Sequence, residues 1–252
     1  MNVRVFRSAE EAGHAAATAV AAQLGRKPSS VIGLPTGRTS LAVYDALAML
    51  HENGEADFSQ AHTFNIDEFV GIASSDKRSY CAFMQKHLFS RINLPGSHIH
   101  FLNGGAADHQ AECRRFERDL ASLGGLDLLL LGIGGNAHIG FNEPARVLGA
   151  RTHRTRLALE TRRANASLFG GRLDRVPREA LTMGVGTMLD ARSIVLIATG
   201  RSKARAVASM FGGGVSTSQP ASLLQLHPNV EIILDLPSAE KLPQSGFDAQ
   251  SR

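Results

Sequence analysis

Four consecutive leucines, Leu128 to Leu131, lie between Asp127 and Gly132 and constrain the chain more than any other feature. Alternate side chains of a strand point to opposite sides, so a strand that is apolar at every residue must be covered on both faces. That condition belongs to the interior of a parallel sheet, whose strands are joined by crossover helices. The run falls far short of the roughly 20 apolar residues that a membrane-spanning helix needs.

The rest of the chain repeats the same grammar. Short β-rich runs alternate with helical patterns: Val3–Phe6 and then Ala9–Leu24, Ser30–Leu34 and then Ser40–Asn53, His62–Asn65 and then Tyr80–Phe89, Ile99–Leu102 and then Asp108–Leu123. Beyond Leu126–Ile133 and a long loop, the pattern predicts a strand at Arg154–Leu159, short helices near Arg162–Phe169 and Val185–Leu189, a strand at Ser193–Thr199, a helix at Ser202–Phe211 and a last strand at Glu231–Asp235. Strand, crossover helix, strand predicts an α/β fold with a mainly parallel sheet flanked by helices on both faces. In such folds ligands bind beyond the carboxyl ends of the strands. No repeat or linker breaks the chain, which predicts one domain over residues 1–236 and a polar C-terminal tail over residues 237–252 that frays.

Composition removes several function classes. A chain of 252 residues with 43% hydrophobic and 20% charged residues is neither disordered nor collagen-like, and Cys81 and Cys113 alone make no disulfide framework. Neither cysteine sits in a Cys-x-x-Cys pair, so no metal site is expected. The N-terminus enters a strand pattern directly and lacks the marks of a secretory signal, which sets a cytoplasmic expectation. Of the 27 cationic residues, 22 are arginine, and nine of these fall between Arg146 and Arg178 beside only Glu160 and Asp174. Phe169 is the one aromatic residue in that stretch, which disfavours nucleic acid and favours a small anionic substrate.

Four loops carry chemistry. Gly33-Leu34-Pro35-Thr36-Gly37-Arg38-Thr39-Ser40 leaves a strand and opens a helix, a geometry whose free amides suit a phosphate, with the Thr39 and Ser40 hydroxyls as added donors. By itself the segment equally fits an ordinary turn in which Thr39 or Ser40 caps the helix. Asp67 and Glu68 stand together where a strand ends; neighbours in extended chain point opposite ways, so only one can face a pocket and act as a base. After the leucine strand, the loop Gly132–Pro144 holds Asn136, His138 and Glu143 among glycines; histidine is the side-chain type suited both to give and to take a proton, with Glu143 placed to orient it. Lys203, at the start of a helix after Thr199-Gly200, would be unfavourable there without an anion.

Together these segments resemble the glucosamine-6-phosphate deaminase (glucosamine-6-phosphate isomerase) family. The resemblance runs from about Val3 to Pro237. Its specific parts are Gly-Leu-Pro-Thr-Gly at 33–37, Phe-Asn-Ile-Asp-Glu-Phe-Val-Gly at 64–71, His-Ile-Gly-Phe-Asn-Glu-Pro-Ala at 138–145, Thr-Arg-Arg-Ala-Asn at 161–165, Val-Pro-Arg-Glu-Ala-Leu-Thr-Met-Gly-Val-Gly-Thr at 176–187 and Leu-Gln-Leu-His-Pro at 224–228. The resemblance implies a single-domain modified Rossmann-like α/β fold and conversion of glucosamine 6-phosphate and water to fructose 6-phosphate and ammonia, with no metal and no organic cofactor. It implies that Asp67 moves the proton from C2 to C1, that His138 opens the sugar ring with Glu143 tuning it, and that Thr39, Arg162 and Lys203 hold the phosphate. Asn136 stands where some members have an aspartate of the same relay. The implied partner is an amino-sugar phosphate, with neither nucleic acid nor membrane, and with room for a homo-oligomer.

The chain departs from the family at three places. Arg38 replaces a residue that is usually small, either adding a phosphate contact or narrowing the entrance. Ser40 stands where proline is common. At Arg146, Val147, His153 and Thr155 the groups that bind N-acetylglucosamine 6-phosphate in hexameric members are missing, so no activation by that compound is expected. Three other readings stay open from sequence: galactosamine-6-phosphate deaminase, 6-phosphogluconolactonase, and a non-catalytic sugar-phosphate sensor.

Overall fold

The computed structural model of the chain describes residues 1–242. In chain order its strands are β1 (Asn2–Phe6), β2 (Val31–Leu34), β3 (His62–Asn65), β4 (Asp67–Phe69), β5 (Ile99–His100), β6 (Leu128–Gly132), β7 (His153–Arg156), β8 (Glu179–Thr182), β9 (Ile194–Ala198) and β10 (Val230–Asp235). The helices are α1 (Ala9–Arg26), α2 (Arg38–Glu52), α3 (Tyr80–His87), α4 (His109–Ser122), α5 (Leu159–Asn165), α6 (Val185–Leu189), α7 (Ala204–Phe211) and α8 (Leu236–Ala239). Seven strands form one wholly parallel sheet in the order β1-β10-β9-β6-β2-β3-β5.

The apolar strands lie in its middle, and period-two alternation divides their side chains between two cores. Leu129, Leu131, Ile194, Leu196, Ile232 and Leu234 face one layer, where Phe116 of α4, Met188 of α6 and Val207 of α7 cover them. Leu128, Leu130, Val195, Ile197 and Ile233 face the other, under Val20 of α1, Leu47 of α2 and Met84 of α3. Three of the covering helices, α1, α3 and α4, begin at a side-chain cap. Ser8 accepts from the Glu11 N–H, Ser79 from Ala82, and Asp108 from both Gln110 and Ala111.

A second, antiparallel sheet of order β4-β8-β7 is the main departure from the sequence-based expectation. β4 begins one residue after β3, so the chain leaves the parallel sheet at Ile66 and pairs Asp67 with Thr182 in the next. Phe69, Tyr80, Phe141, Leu157 and Phe169 pack a third core beneath it. This small sheet positions the site, because its first residue emerges at the carboxyl end of β3.

Other differences are local. The helix expected from Arg162 begins earlier, at Leu159, and continues as a tighter turn over Ala166–Phe169. The helix expected from Ser202 begins at Ala204, after a tight turn over Arg201–Lys203. The expected frayed tail starts with an ordered turn, since α8 is capped by Asp235 and Ser238 is buried with its hydroxyl donating to Ala198 O at 2.8 Å. Residues 243–252 of that expected tail lie outside the described residues. Among the described residues no helix is long and apolar enough to cross a membrane.

Candidate active site

The loops leaving β2, β3, β6 and β9, which are neighbours in the sheet, meet in a cleft of about 600 Å³ at the strands' carboxyl ends. A larger groove of about 1020 Å³ lies between α1 and the β1–β10 edge, but several of its polar groups satisfy one another, as in the 2.8 Å Arg4–Glu231 pair. Chemistry therefore concentrates in the smaller cleft, which gathers Gly37, Arg38, Thr39, Asp67, Asn136, His138 and Lys203.

At one end the residues are cationic. Gly37 turns the chain at φ 129°, a region that favours glycine, and serves as the N-cap of α2 with no side chain on the helix-end amides. Neither Thr39 nor Ser40 caps the helix; the Ser40 hydroxyl instead closes the turn by donating to Gly37 O at 2.7 Å. Lys203 faces this helix start from across the cleft and is half-buried. Burial and then the Arg38 charge lower its pKa, with Glu160 opposing them. Among the described residues neither Arg38 nor Lys203 makes an ion pair. Two cations without ion pairs and a helix N-terminus without a side-chain cap make this end of the cleft suited to an anion.

The middle of the cleft holds the two neighbouring carboxylates, and the structure separates them as the alternation rule requires. Asp67 faces the cleft, 5% exposed, and its buried Oδ1 has no hydrogen-bond partner. Burial, and secondarily the Glu68 charge, raises its pKa well above the ordinary carboxylate value. A carboxylate short of donors in a dry wall is a base in search of a proton. Glu68 turns the other way and accepts the N–H groups of Phe69, Tyr80 and Cys81 at the start of α3.

Beyond them stands a proton relay. His138 Nδ1 lies 3.3 Å from Glu143 Oε2 and 3.3 Å from the Thr161 hydroxyl. Glu143 also accepts Asn136 Nδ2 at 2.8 Å and the Ala158 N–H at 3.0 Å. Burial would raise the Glu143 pKa, but its contacts with His138, Thr161 and Asn136 overcome this and hold it down at about 2. An ionised Glu143 only accepts, so Nδ1 carries the ring proton and Nε2 is left with a lone pair. The ring lies across the backbone of Gly134, where a Cβ would collide with it.

Two expected site residues do not line the cleft: Glu143, which stands against His138, and Arg162, which turns away altogether. Arg162 Nη2 donates to Leu173 O at 2.8 Å and Val176 O at 3.0 Å, and its Nε is buried without a partner. α5 begins three residues earlier than expected and turns this side chain beneath the segment that follows the helix. Sequence reasoning also missed three lining residues, Tyr80, Thr161 and Asn165. Thr161 and Asn165 sit in the same Thr-Arg-Arg-Ala-Asn segment as Arg162, so the signal was present, but spacing alone did not show that Thr161 reaches His138. Among the described residues no group of three or more His, Cys, Asp or Glu is placed to hold a metal ion.

Comparison with known proteins shows the family and the fold to which this cleft belongs. A family model described as glucosamine-6-phosphate isomerases/6-phosphogluconolactonase matches residues 6–233. The chain is 44% identical over 234 residues to a glucosamine-6-phosphate deaminase of Geobacillus sp. (strain WCH70), covering 93% of each chain. It is 43% identical over 242 residues to one of Halothermothrix orenii, covering 96% of this chain and all of that one. A solved structure of a monomeric glucosamine-6-phosphate deaminase superposes with a TM-score of 0.93 at 41% identity, covering 96% of this chain and 100% of the other. The 6-phosphogluconolactonase from Trypanosoma brucei shares the fold at a TM-score of 0.72 and 19% identity, covering 96% of this chain and 98% of that one.

Proposed function

The chain belongs to the glucosamine-6-phosphate isomerase/6-phosphogluconolactonase family, and on that premise we propose that it converts glucosamine 6-phosphate and water to fructose 6-phosphate and ammonia. The observation that carries the reading is Asp67, a buried carboxylate with an unpartnered oxygen facing a cleft whose far end suits a phosphate. The deaminases at 41–44% identity support the same reaction.

The substrate phosphate lies against Lys203, Arg38, Thr39 and the free amides of α2. This fixes the distance from the phosphate to the reacting carbons, so the sugar spans the cleft toward Asp67 and His138. His138, through the lone pair on Nε2, takes the proton of the ring hydroxyl and returns one to the ring oxygen as the ring opens, while anionic Glu143 steadies the charged imidazole. Asp67 then removes the proton from C2 of the open-chain aldehyde, and electrons move to the C1 oxygen as an enolamine forms. Asp67 delivers the same proton to C1, and a proton passes from the nitrogen to the C1 oxygen, leaving a hydroxymethyl group at C1 and an imine at C2. Water adds to that imine and ammonia leaves, so the atoms balance as sugar phosphate plus water in, ketose phosphate plus ammonia out.

Arg162 joins the phosphate ligands in this reading only after its bonds to Leu173 O and Val176 O are exchanged, which requires the segment after α5 to move. We place the activity in the cytoplasm, where a phosphorylated sugar is retained by its charge.

Purified enzyme tests the proposal with glucosamine 6-phosphate, galactosamine 6-phosphate and 6-phosphogluconolactone in parallel, with and without a metal chelator. Ammonia and fructose 6-phosphate from the first substrate, unaffected by the chelator, are the expected result. Lactone hydrolysis with no ammonia from either amino sugar would overturn it.

A further inference from the structure

Glu68 is buried beside the proposed base and has no place in the proton transfers above. We propose that Glu68 is a positioning residue that ionises before Asp67 and places a negative charge beside it, keeping Asp67 basic enough to take a proton from carbon. The inference rests on the reading of Asp67 as the base.

Its ground is the unequal treatment of two adjacent carboxylates. Both are buried, Asp67 at 5% and Glu68 at 2% exposure. Glu68 Oε1 accepts the N–H of Phe69 at 2.8 Å and of Tyr80 at 3.1 Å, and Oε2 accepts the N–H of Cys81 at 3.1 Å. Asp67 Oδ1 accepts nothing. Tyr80 and Cys81 are the first two residues of α3, so Glu68 places a carboxylate on that helix's unsatisfied amides and positive dipole end. Of the two groups, Glu68 is the one built to stay ionised.

The other groups facing the pair do not replace this arrangement. From α3 come the Tyr80 hydroxyl, which donates to Asn165 Oδ1 at 3.1 Å, and the half-buried Cys81. From α2 comes Tyr44, whose hydroxyl donates to Pro35 O. From the loop before α3 comes Asp76, held by Arg78. None brings a cation to Asp67. Arg38, His138 and Lys203 line the same cleft, but what acts on Asp67 is its burial and the Glu68 charge, and both oppose ionisation.

The protonation tendencies agree. Burial raises Glu68 to about 7 against the pull of its three backbone donors, and burial, with the Glu68 charge second, raises Asp67 well above the ordinary carboxylate value. Because three N–H groups await the charge on Glu68 and none awaits it on Asp67 Oδ1, the first proton of the pair leaves Glu68 and the second leaves Asp67. A carboxylate that is the last to ionise is the stronger base when it does, and the neighbouring charge turns an ordinary aspartate into a group matched to an acidified C–H.

The test compares the acid limb of kcat against pH for the native chain, Glu68→Gln and Glu68→Asp. Glu68→Gln removes the charge, so the limb should move to lower pH by roughly one unit or more. Its plateau kcat should fall several-fold with KM within about twofold, as expected for a weaker base. Glu68→Asp keeps the charge and loses reach, so its limb should stay near that of the native chain even if kcat falls. A limb unmoved in Glu68→Gln, or displaced equally in both variants, would overturn the proposal and leave Glu68 as a helix cap alone.

A second measurement does not depend on Glu68→Gln folding. Carbon-13 carboxyl NMR of the native chain and of Asp67→Asn should show that the substitution removes the later of the two coupled titrations and lets the remaining one occur at lower pH. Removal of the earlier step would overturn the proposal. Failure of the underlying reading looks different, because Asp67→Asn would then keep its turnover.

Discussion

Asp67→Asn should lower turnover of glucosamine 6-phosphate by about 10²- to 10⁴-fold, the usual worth of a positioned general base, while KM stays within a few-fold of the native value. The asymmetry follows from where the side chain sits. Asp67 is in the wall of the cleft, away from the cations that take the phosphate, so an amide of the same shape leaves the binding end untouched. Single-turnover measurements should show that the loss lies in chemistry. A variant with near-native kcat would remove Asp67 from the mechanism.

The same substitution should change stability in the opposite sense. The folded-state pKa of Asp67 is raised above its unfolded value, so between the two the folded chain binds more protons than the unfolded chain. The native chain therefore loses stability as pH rises from about 4, where an unfolded aspartate titrates, through the folded pKa. Asparagine has no proton to lose, so over that window the melting temperature of the variant should fall less than the native one does, the remaining fall coming from Glu68, itself raised to about 7. Activity and stability thus move apart at Asp67, as they do where a site keeps an uncomfortable group for its chemistry.

Lys203→Ala should raise KM by about 10- to 100-fold with a smaller change in kcat, in line with the loss of one charge-assisted hydrogen bond to phosphate. Lys203 has no ion pair among the described residues and sits under the repulsion of Arg38, so the folded chain gains little from it without an anion. Its removal should leave the melting temperature unchanged without ligand and reduce the stabilisation produced by inorganic phosphate. An unchanged KM, with phosphate stabilising the variant as it does the native chain, would place the anion elsewhere in the cleft.

The parallel sheet was legible in the sequence because its strands are apolar enough to leave no other solution. Leu128–Leu131 and Ile194–Ala198 are buried throughout, and the loops that follow them hold the site where the architecture says it should be. The antiparallel sheet was not legible. β4 is three residues long and follows β3 after Ile66 alone, so no turn residue marks the change of sheet, and β8 is four residues within a segment that reads as loop. Both short strands are held by pairing with distant chain, a cause that local pattern does not carry.

Within the site the chemistry-bearing residue types were readable and their orientations were only partly so. Alternation along an extended chain said that one of Asp67 and Glu68 faces the pocket; only the amides of Phe69, Tyr80 and Cys81 show that it is Asp67. Resemblance put Arg162 among the phosphate ligands, yet its guanidinium is satisfied by two carbonyls in the segment after α5, a partnership between residues 11 and 14 positions apart. Asn136, which stands where some family members have an aspartate, donates to Glu143 and so helps keep that carboxylate ionised. An aspartate there would instead add a second negative charge beside Glu143.

Glucosamine 6-phosphate carrying deuterium at C2 tests the C2-to-C1 proton transfer most directly. A base that works behind a buried wall should slow turnover of the labelled sugar and return part of the label to C1 of fructose 6-phosphate, because the proton on Asp67 has little access to solvent between the two steps. Turnover indifferent to the label, with no deuterium at C1, would contradict proton transfer by Asp67 and with it the isomerising mechanism.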